Sequence, residues 1–224
     1  MDFESQEYYE FLGQFVTEER LALFDEVLAQ RTRHITVAIE DIYQPHNASA
    51  VLRSCDCFGI QDVHIIENRN KYNINPKVAL GSGKWITMHK HNELENNSVA
   101  CVNDLKKRGY KVLATTPHTD DIFLDDIDIN QPVALVFGNE KEGISDEVRS
   151  VADGFVRIPM YGFTESFNIS VSAAVCLNVL ANKIRKTDLD WGLSESEQLE
   201  LKLKWLKKHL GSQEAYEKEF LERK

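Results

Sequence analysis

The sequence contains no long apolar run. Nothing in it approaches the roughly 20 consecutive apolar residues that a membrane-spanning helix needs. The acidic opening from Met1 to Glu10 has no apolar core of the kind a secretory leader carries, so no signal peptide is expected. Cysteine is sparse: Cys55, Cys57, Cys101 and Cys176 are the only four. No pair has the spacing of a zinc knuckle, and Cys55 and Cys57 stand too close together for a C-x-x-C redox motif. Cys176 lies in an apolar run and reads as a small core residue. Free thiols suit a reducing cytoplasm, and no metal is expected. Internal repeats and low-complexity tracts are absent as well.

Two nucleotide-binding signatures are missing. Gly81-Ser82-Gly83-Lys84 looks like the end of a phosphate-binding loop. A Walker motif needs a glycine where Val78 stands and a hydroxyl residue where Trp85 stands, so a nucleotide hydrolase is rejected. The small residues still let backbone approach a ligand, with Lys84 as a phosphate contact. The glycine-rich Rossmann fingerprint is absent too.

The 224 residues suffice for one domain with extensions and a full core without disulfide or metal staples. With 42% hydrophobic and 28% charged residues, the chain falls among soluble globular proteins, not disordered or fibrous ones. A net charge of -10 weighs mildly against a nucleic-acid partner, because phosphate binding wants cations. Distribution matters more than the sum. From Asn68 to Asn92 there is no Asp or Glu, while Arg69, Lys71, Lys77, Lys84, Lys90, His89 and His91 all fall there. The segment is either a local phosphate-binding surface or a solvated loop of chance composition.

Periodicity organises the rest. Thr17 is placed to cap a helix carrying Leu21, Phe24, Val27 and Leu28. β-rich segments are predicted at residues 35–39, 63–66, 111–115, 133–137 and 155–158. Helical patterns lie at 48–58, 98–108 and 145–152, and a largely apolar helix at 166–185. This alternation predicts an α/β fold: a mostly parallel sheet with helices on both faces, and ligands bound beyond the carboxyl ends of the strands. Residues 120–130, rich in Asp120, Asp121, Asp125, Asp126 and Asp128, read as a solvated connection. Ser194 and Glu197 have capping-box spacing ahead of a helix with Leu199, Leu203, Leu206 and Leu210 on one face and Trp205 beside it. The organisation expected is a helical extension at 1–33, the main domain at 34–186 and a second helical extension at 187–224.

Three segments combine polar and small residues next to predicted strand ends. In Pro45-His46-Asn47-Ala48-Ser49-Ala50-Val51-Leu52-Arg53, Asn47 is read as a helix N-cap, with Arg53 reaching toward the same end of the sheet. Gly138-Asn139-Glu140-Lys141-Glu142-Gly143 is a glycine-flanked turn after a buried strand, ahead of a helix capped by Ser145. In the stretch from Ile158 to Val171, Ser166 and Asn168 interrupt an otherwise apolar helix start and need polar partners. Each segment by itself also reads as ordinary capping or an ordinary strand-to-helix loop.

Taken together, in this order and at this spacing, the three segments resemble the signature motifs of the SPOUT class of methyltransferases, specifically its SpoU/TrmH branch. The match runs from about Arg20 to Arg185. The Pro45–Arg53 context and Gly81–Trp85 look most like the branch members that methylate the ribose of tRNA guanosine-18. The resemblance implies a deep trefoil knot in the C-terminal part of the domain and a homodimer whose site is completed across the interface. It also implies S-adenosyl-L-methionine as methyl donor, with S-adenosyl-L-homocysteine as product. Carried over residue by residue, it puts Thr115, Gly138, Ile158, Met160 and Phe167 at the donor. It assigns catalysis to Arg53, Asn47, Glu140, Ser166 and Asn168, and RNA contacts to Arg20, Arg31, Arg33, Lys84 and Lys90. Phe167 stands where relatives commonly have Leu, and Glu165 where several have Gln.

Methyl transfer from a sulfonium needs no metal, because the donor is already activated. The resemblance points to Arg53 as the residue that governs the ribose 2′-hydroxyl. A guanidinium stays protonated and is a poor base, so its expected role is to hold the neighbouring phosphate and stabilise the developing alkoxide. Asn47 and Glu140 are expected to orient Arg53, and Ser166 and Asn168 the ribose or the loop. Competing readings are the same chemistry on ribosomal RNA or another tRNA position, and an RNA-binding module without catalysis. Loss of Asn47, Glu140 or Asn168 would mark the last, and all three are present.

Overall fold

The structure, a computed structural model, describes residues 5–73, 75–117 and 122–223. Residues 1–4 and 224 of the two extensions, and Asp120 and Asp121 of the expected acidic connection, lie outside the described residues. In chain order the elements are α1 (Gln6–Gly13), α2 (Glu18–Leu28), β1 (Ile35–Glu40), α3 (Pro45–Cys57), β2 (Asp62–Ile66), α4 (Pro76–Ala79), β3 (Thr87–His91), α5 (Asn97–Lys107), β4 (Lys111–Thr115), β5 (Ile122–Phe123), β6 (Val133–Phe137), α6 (Asp146–Val151), β7 (Gly154–Arg157), α7 (Ile169–Ile184), α8 (Glu195–Leu210) and α9 (Gln213–Glu222). They form two compact units: residues 32–191, and residues 1–31 together with 192–224.

In the larger unit the seven strands form one sheet in the order β3-β2-β1-β6-β4-β7-β5, with every described pairing parallel. The central strands are apolar on both faces, as a parallel sheet covered by helices on each side requires. Val37 and Ile39 of β1, with Leu135 and Phe137 of β6, face α3 and α7 in one core. Ala38, Ala134 and Val136 face the other way, onto α5 and α6. The α/β sheet expected from the alternation is therefore present, and β4 and β6 span the predicted residues.

The differences have local causes. β3, Thr-Met-His-Lys-His, carries too little apolar alternation to stand out, because it is a half-exposed edge strand. Residues 122–130 are not simply a solvated connection: Leu124, Ile127 and Ile129 turn in among the acids and join the core under α7. Two helix starts also move. α3 begins at Pro45 with Gln44 as N-cap, which puts Asn47 inside the first turn. Proline at the first helical position has no N–H to leave unsatisfied, and that fixes the start earlier. α7 begins after Asn168, whose side chain accepts the N–H of Ser170, so Ser166 stays in the loop. Thr17, Ser145 and the Ser194–Glu197 box cap their helices as read.

The smaller unit joins both ends of the chain. Tyr8 and Phe11 of α1 pack their rings on Phe220 of α9, with centroids 4.9 and 5.1 Å away. Phe24 of α2 meets Trp205 of α8 edge-on at 5.4 Å. The buried face of α8 is Leu201, Leu203, Trp205 and Leu206, shifted from the leucine row expected. The opening aromatic segment, without an assigned role in the sequence, is thus half of this small core. None of the described helices is long and apolar enough to cross a membrane.

Burial sets unequal costs along the main unit. Leu177 of α7 is fully buried and Leu94 is 63% exposed. Leu177→Ala is expected to cost about 2–5 kcal/mol of stability through lost burial and a cavity. Leu94→Ala is expected to stay within about 0.5 kcal/mol. Urea denaturation of both variants checks this.

Candidate active site

The loops after β4, β6 and β7 leave the carboxyl ends of neighbouring strands, where an open parallel sheet collects ligands. Between them and the start of α7 lies a cavity of about 510 Å³. Thr115, Gly138, Ile158, Met160 and Phe167 all line it, as do Glu140, Ser166 and Asn168. The Thr115 hydroxyl donates to the Val136 carbonyl at 3.1 Å, so it also ties β4 to β6. Phe167 is 44% exposed at the wall. Cys176 sits at the floor, where burial pushes its thiol up to about 12 and keeps it protonated.

A chain of side-chain hydrogen bonds joins the three sequence segments. Asn168 Nδ2 donates to Asn47 Oδ1 at 3.1 Å, and Asn47 Nδ2 donates to Glu140 Oε1 at 2.8 Å. The Glu140 carboxylate also accepts the backbone N–H groups of Tyr43 at 3.0 Å and Gln44 at 3.2 Å. It therefore sits at the N-terminus of α3, where free amides and the helix dipole favour an anion. Partial burial works to raise its pKa, but the hydrogen bonds from Asn47, Tyr43 and Gln44 outweigh that and hold it below the ordinary value.

The turn carrying Glu140 is built for close approach. Asn139 and Gly143 exchange backbone hydrogen bonds, each at 2.9 Å. A Cβ on Gly138 would lie 2.2 Å from the Gly143 backbone and 2.4 Å from the Ile144 nitrogen, so no side chain fits. Gly143 has φ +72°, a left-handed conformation that favours glycine.

Asn139 and Asp41, which the sequence reading did not single out, anchor this turn. Asn139 Nδ2 donates to the Asp41 carbonyl at 2.8 Å, and its Oδ1 accepts the Lys141 N–H at 2.8 Å. Asp41 takes φ 48° at the end of β1. Its carboxylate accepts three successive N–H groups, from Asn68, Arg69 and Asn70, at 2.7, 2.9 and 3.2 Å. Arg69 extends from there to Glu142 on the cavity loop. The signal for Asp41 was an acidic residue directly after an apolar strand, a pattern too common to distinguish it.

Arg53 is placed differently from the expectation. It is exposed on α3, does not line the cavity, and makes no hydrogen bond or ion pair among the described residues. Asn47 and Glu140 are bonded to each other and to the backbone, so they do not orient Arg53 within the chain. Among the expected RNA contacts, Lys84 and Lys90 are exposed and Arg20 is half-buried. Arg31 is corrected: it is 2% exposed, with its guanidinium 5.7 Å from the Trp205 ring, which takes it out of reach of a phosphate. Arg33 is turned to Asp62, 3.3 Å away, and its charge is largely spent there.

Comparison with known proteins decides the family. Residues 34–178 match the SpoU rRNA Methylase family. The chain belongs to the SpoU methylase family. Its segment Asn47–Glu140–Asn168 therefore lies in a methyltransferase scaffold. One similar SpoU relative is the tRNA (guanosine(18)-2'-O)-methyltransferase of Borreliella burgdorferi, 42% identical over 194 residues, covering 87% of each protein. A crystal structure of a TrmH/SpoU tRNA modifying enzyme from A. aeolicus superposes with a TM-score of 0.77 at 30% identity, covering 86% of this chain and 98% of that one. The SpoU methyltransferase AviRb from Streptomyces viridochromogenes, in complex with AdoMet, shares the fold with a TM-score of 0.60 at 22% identity, over 72% of this chain and 62% of that one.

Two outcomes test this geometry. Gly138→Ala is expected to cost about 1–3 kcal/mol, because its Cβ would overlap the Gly143 and Ile144 backbone and force the turn to shift. Gly154→Ala meets only the flexible end of Leu113, at 3.4 Å, and is expected to be mild; chemical denaturation compares the two. Because the folded pKa of Glu140 is depressed, its contribution is complete above the ordinary carboxyl value of 4.5 and is lost as pH falls through the lowered folded value. The melting-temperature advantage of the wild type over Glu140→Gln is therefore expected to be largest at neutral pH and to vanish in acid.

Proposed function

We propose that this chain transfers a methyl group from S-adenosyl-L-methionine to the ribose 2′-hydroxyl of guanosine-18 in tRNA, as a cytoplasmic homodimer with a trefoil knot in its catalytic domain. The observation that carries this reading is the hydrogen-bonded convergence of Asn168, Asn47 and Glu140 beside the cavity. The substrate assignment rests on the printed activity of the 42%-identical relative, which matches over most of both chains.

When bound, the donor supplies an activated methyl group on a sulfonium sulfur. The cavity suits such a ligand. Its apolar walls come from Ile158, Met160 and Phe167, and Glu140, Glu142 and Glu165 put negative charge around a cation. Gly138 keeps side chains away from the floor of the turn. Glu140 fixes Asn47, and Asn47 fixes Asn168, so the start of α7 is held against the opposite wall. Ser166 and Asn168, both exposed at the rim, orient the incoming ribose.

Arg53 lies off the cavity of its own chain, and the proposed dimer supplies a reason: the residue that completes each site is Arg53 of the partner subunit. It holds the phosphate beside the target ribose and stabilises negative charge on the 2′-oxygen as its proton leaves. The exposed rings of Tyr161 and Phe163, on the loop before α7, are apolar surface that a second copy would cover. The terminal extensions, with Arg20, and the exposed Lys84 and Lys90 supply contacts to tRNA. Domain limits near 33 and 186 follow from this reading, with the SpoU core between.

The test uses a tRNA transcript and isotopically labelled donor, with nuclease digestion and mass spectrometry to locate the methyl. A 2′-O-methyl at guanosine-18 is expected, and calorimetry should detect S-adenosyl-L-homocysteine binding. Arg53→Ala is expected to lower kcat by about a hundredfold or more while tRNA affinity stays within a few-fold. Full methylation by that variant would remove Arg53 from catalysis, and a methyl found on ribosomal RNA instead would move the substrate.

A further inference from the structure

Away from the cavity, the opposite edge of the sheet holds a cluster of nitrogen and sulfur ligands that methyl transfer does not use. His64 of β2, His91 of β3 and Cys101 of α5 each offer one donor atom, and the three atoms lie within 4.8 Å of one another. His64 Nδ1 and His91 Nε2 face each other at 3.0 Å. His64 and Cys101 are fully buried, and His91 is half-buried, which opens a way in from solvent. We infer that His64, His91 and Cys101 form a site for a zinc-class divalent metal ion, which pins the edge strand β3 to β2 and α5.

The donor set decides the class of metal. Two imidazoles and a thiolate suit zinc and its neighbours, whereas calcium and magnesium need oxygen. Zinc holds nitrogen and sulfur at about 2.0–2.3 Å, so the two facing nitrogens, 3.0 Å apart, already have the spacing of a ligand pair, and the adjustment on binding falls on the Cys101 sulfur. The facing atoms His64 Nδ1 and His91 Nε2 are the two nitrogen donors, and His64 Nε2, buried at the far side of its ring, is left to carry the ring proton. Asp104, one helical turn after Cys101, acts electrostatically on both His91 and Cys101, and Asp62 lies at the far end of the cluster; both oppose the charge of Arg108.

Binding forms one metal–sulfur and two metal–nitrogen bonds. The thiol proton of Cys101 leaves to solvent, and the proton between the two rings moves to the outer nitrogen of its own ring. Sequence spacing hides such a site, because its ligands come from three elements and match no local motif. The gain falls on β3, an edge strand whose neighbour on one side only is β2.

Metal-stripped full-length protein titrated with Co(II) tests the inference. One ion per chain is expected, with the intense visible bands of a tetrahedral site and a near-ultraviolet thiolate-to-cobalt band. That last band should vanish in Cys101→Ser and persist in Cys57→Ser, whose cysteine is exposed. His91→Asn, a change at the half-buried edge, should weaken cobalt binding by about tenfold or more. Zinc should raise the melting temperature of the wild type and leave that of His91→Asn unchanged. A wild-type titration without the thiolate band overturns the site. So does a band lost with Cys57 instead of Cys101, or, should Cys101→Ser not fold, unchanged cobalt affinity in His91→Asn.

Discussion

The Asn168–Asn47–Glu140 hydrogen-bond chain is the constraint on which the rest of the site depends. It joins three segments that are distant in sequence, and its middle member is 3% exposed. A buried amide is stable only when its donors and acceptors are met, so Asn47 fixes its neighbours as firmly as they fix it. Glu140 can serve as the anchor because two backbone amides at the start of α3 already hold its charge. A helix terminus, a tight glycine turn and a helix cap are ordinary devices one at a time. Their sharing of one hydrogen-bonded path makes a single rigid wall of them.

The sheet explains why that wall stands where it does. Parallel strands bring all their carboxyl-terminal loops to one edge, and strands apolar on both faces leave the polar work to those loops. β1 illustrates the transition. It is buried along its whole length, then turns polar at Glu40 and Asp41. Glu40 is buried and takes hydrogen bonds from Ser98 and Ser145, while Asp41 gathers the amides of residues 68–70 and the Asn139 side chain. The acid-free segment is thereby fastened to the cavity loop through Arg69 and Glu142, which gives one of its cations a structural task. The net charge of -10 is thus compatible with a local role for cations.

The legible parts of the sequence were those in which local chemistry and tertiary packing agree. Thr17, Ser145 and the Ser194–Glu197 box each satisfy nearby amides, so residue type alone located them. β4 and β6 sit deep in the sheet, and their apolar runs could fit nowhere else. β3 escaped because an edge strand with histidines at alternate positions need not be apolar. Residues 122–130 escaped because three apolar side chains can bury themselves while the neighbouring Asp125, Asp126 and Asp128 face water.

By itself, the sequence determined the alternation that makes a covered parallel sheet, the helix caps, and the identity of the three polar segments whose order marks the family. Those are properties of residues near one another along the chain, or of patterns repeated along it. Tertiary structure alone decided that Asn47 bonds to Glu140 and Asn168, that Arg31 is buried against Trp205 and Arg53 left exposed, and that His64, His91 and Cys101 meet. A hydrogen bond or a ligand set requires atoms to converge from separate elements, and convergence is fixed by how strands and helices pack, which no spacing in the chain records.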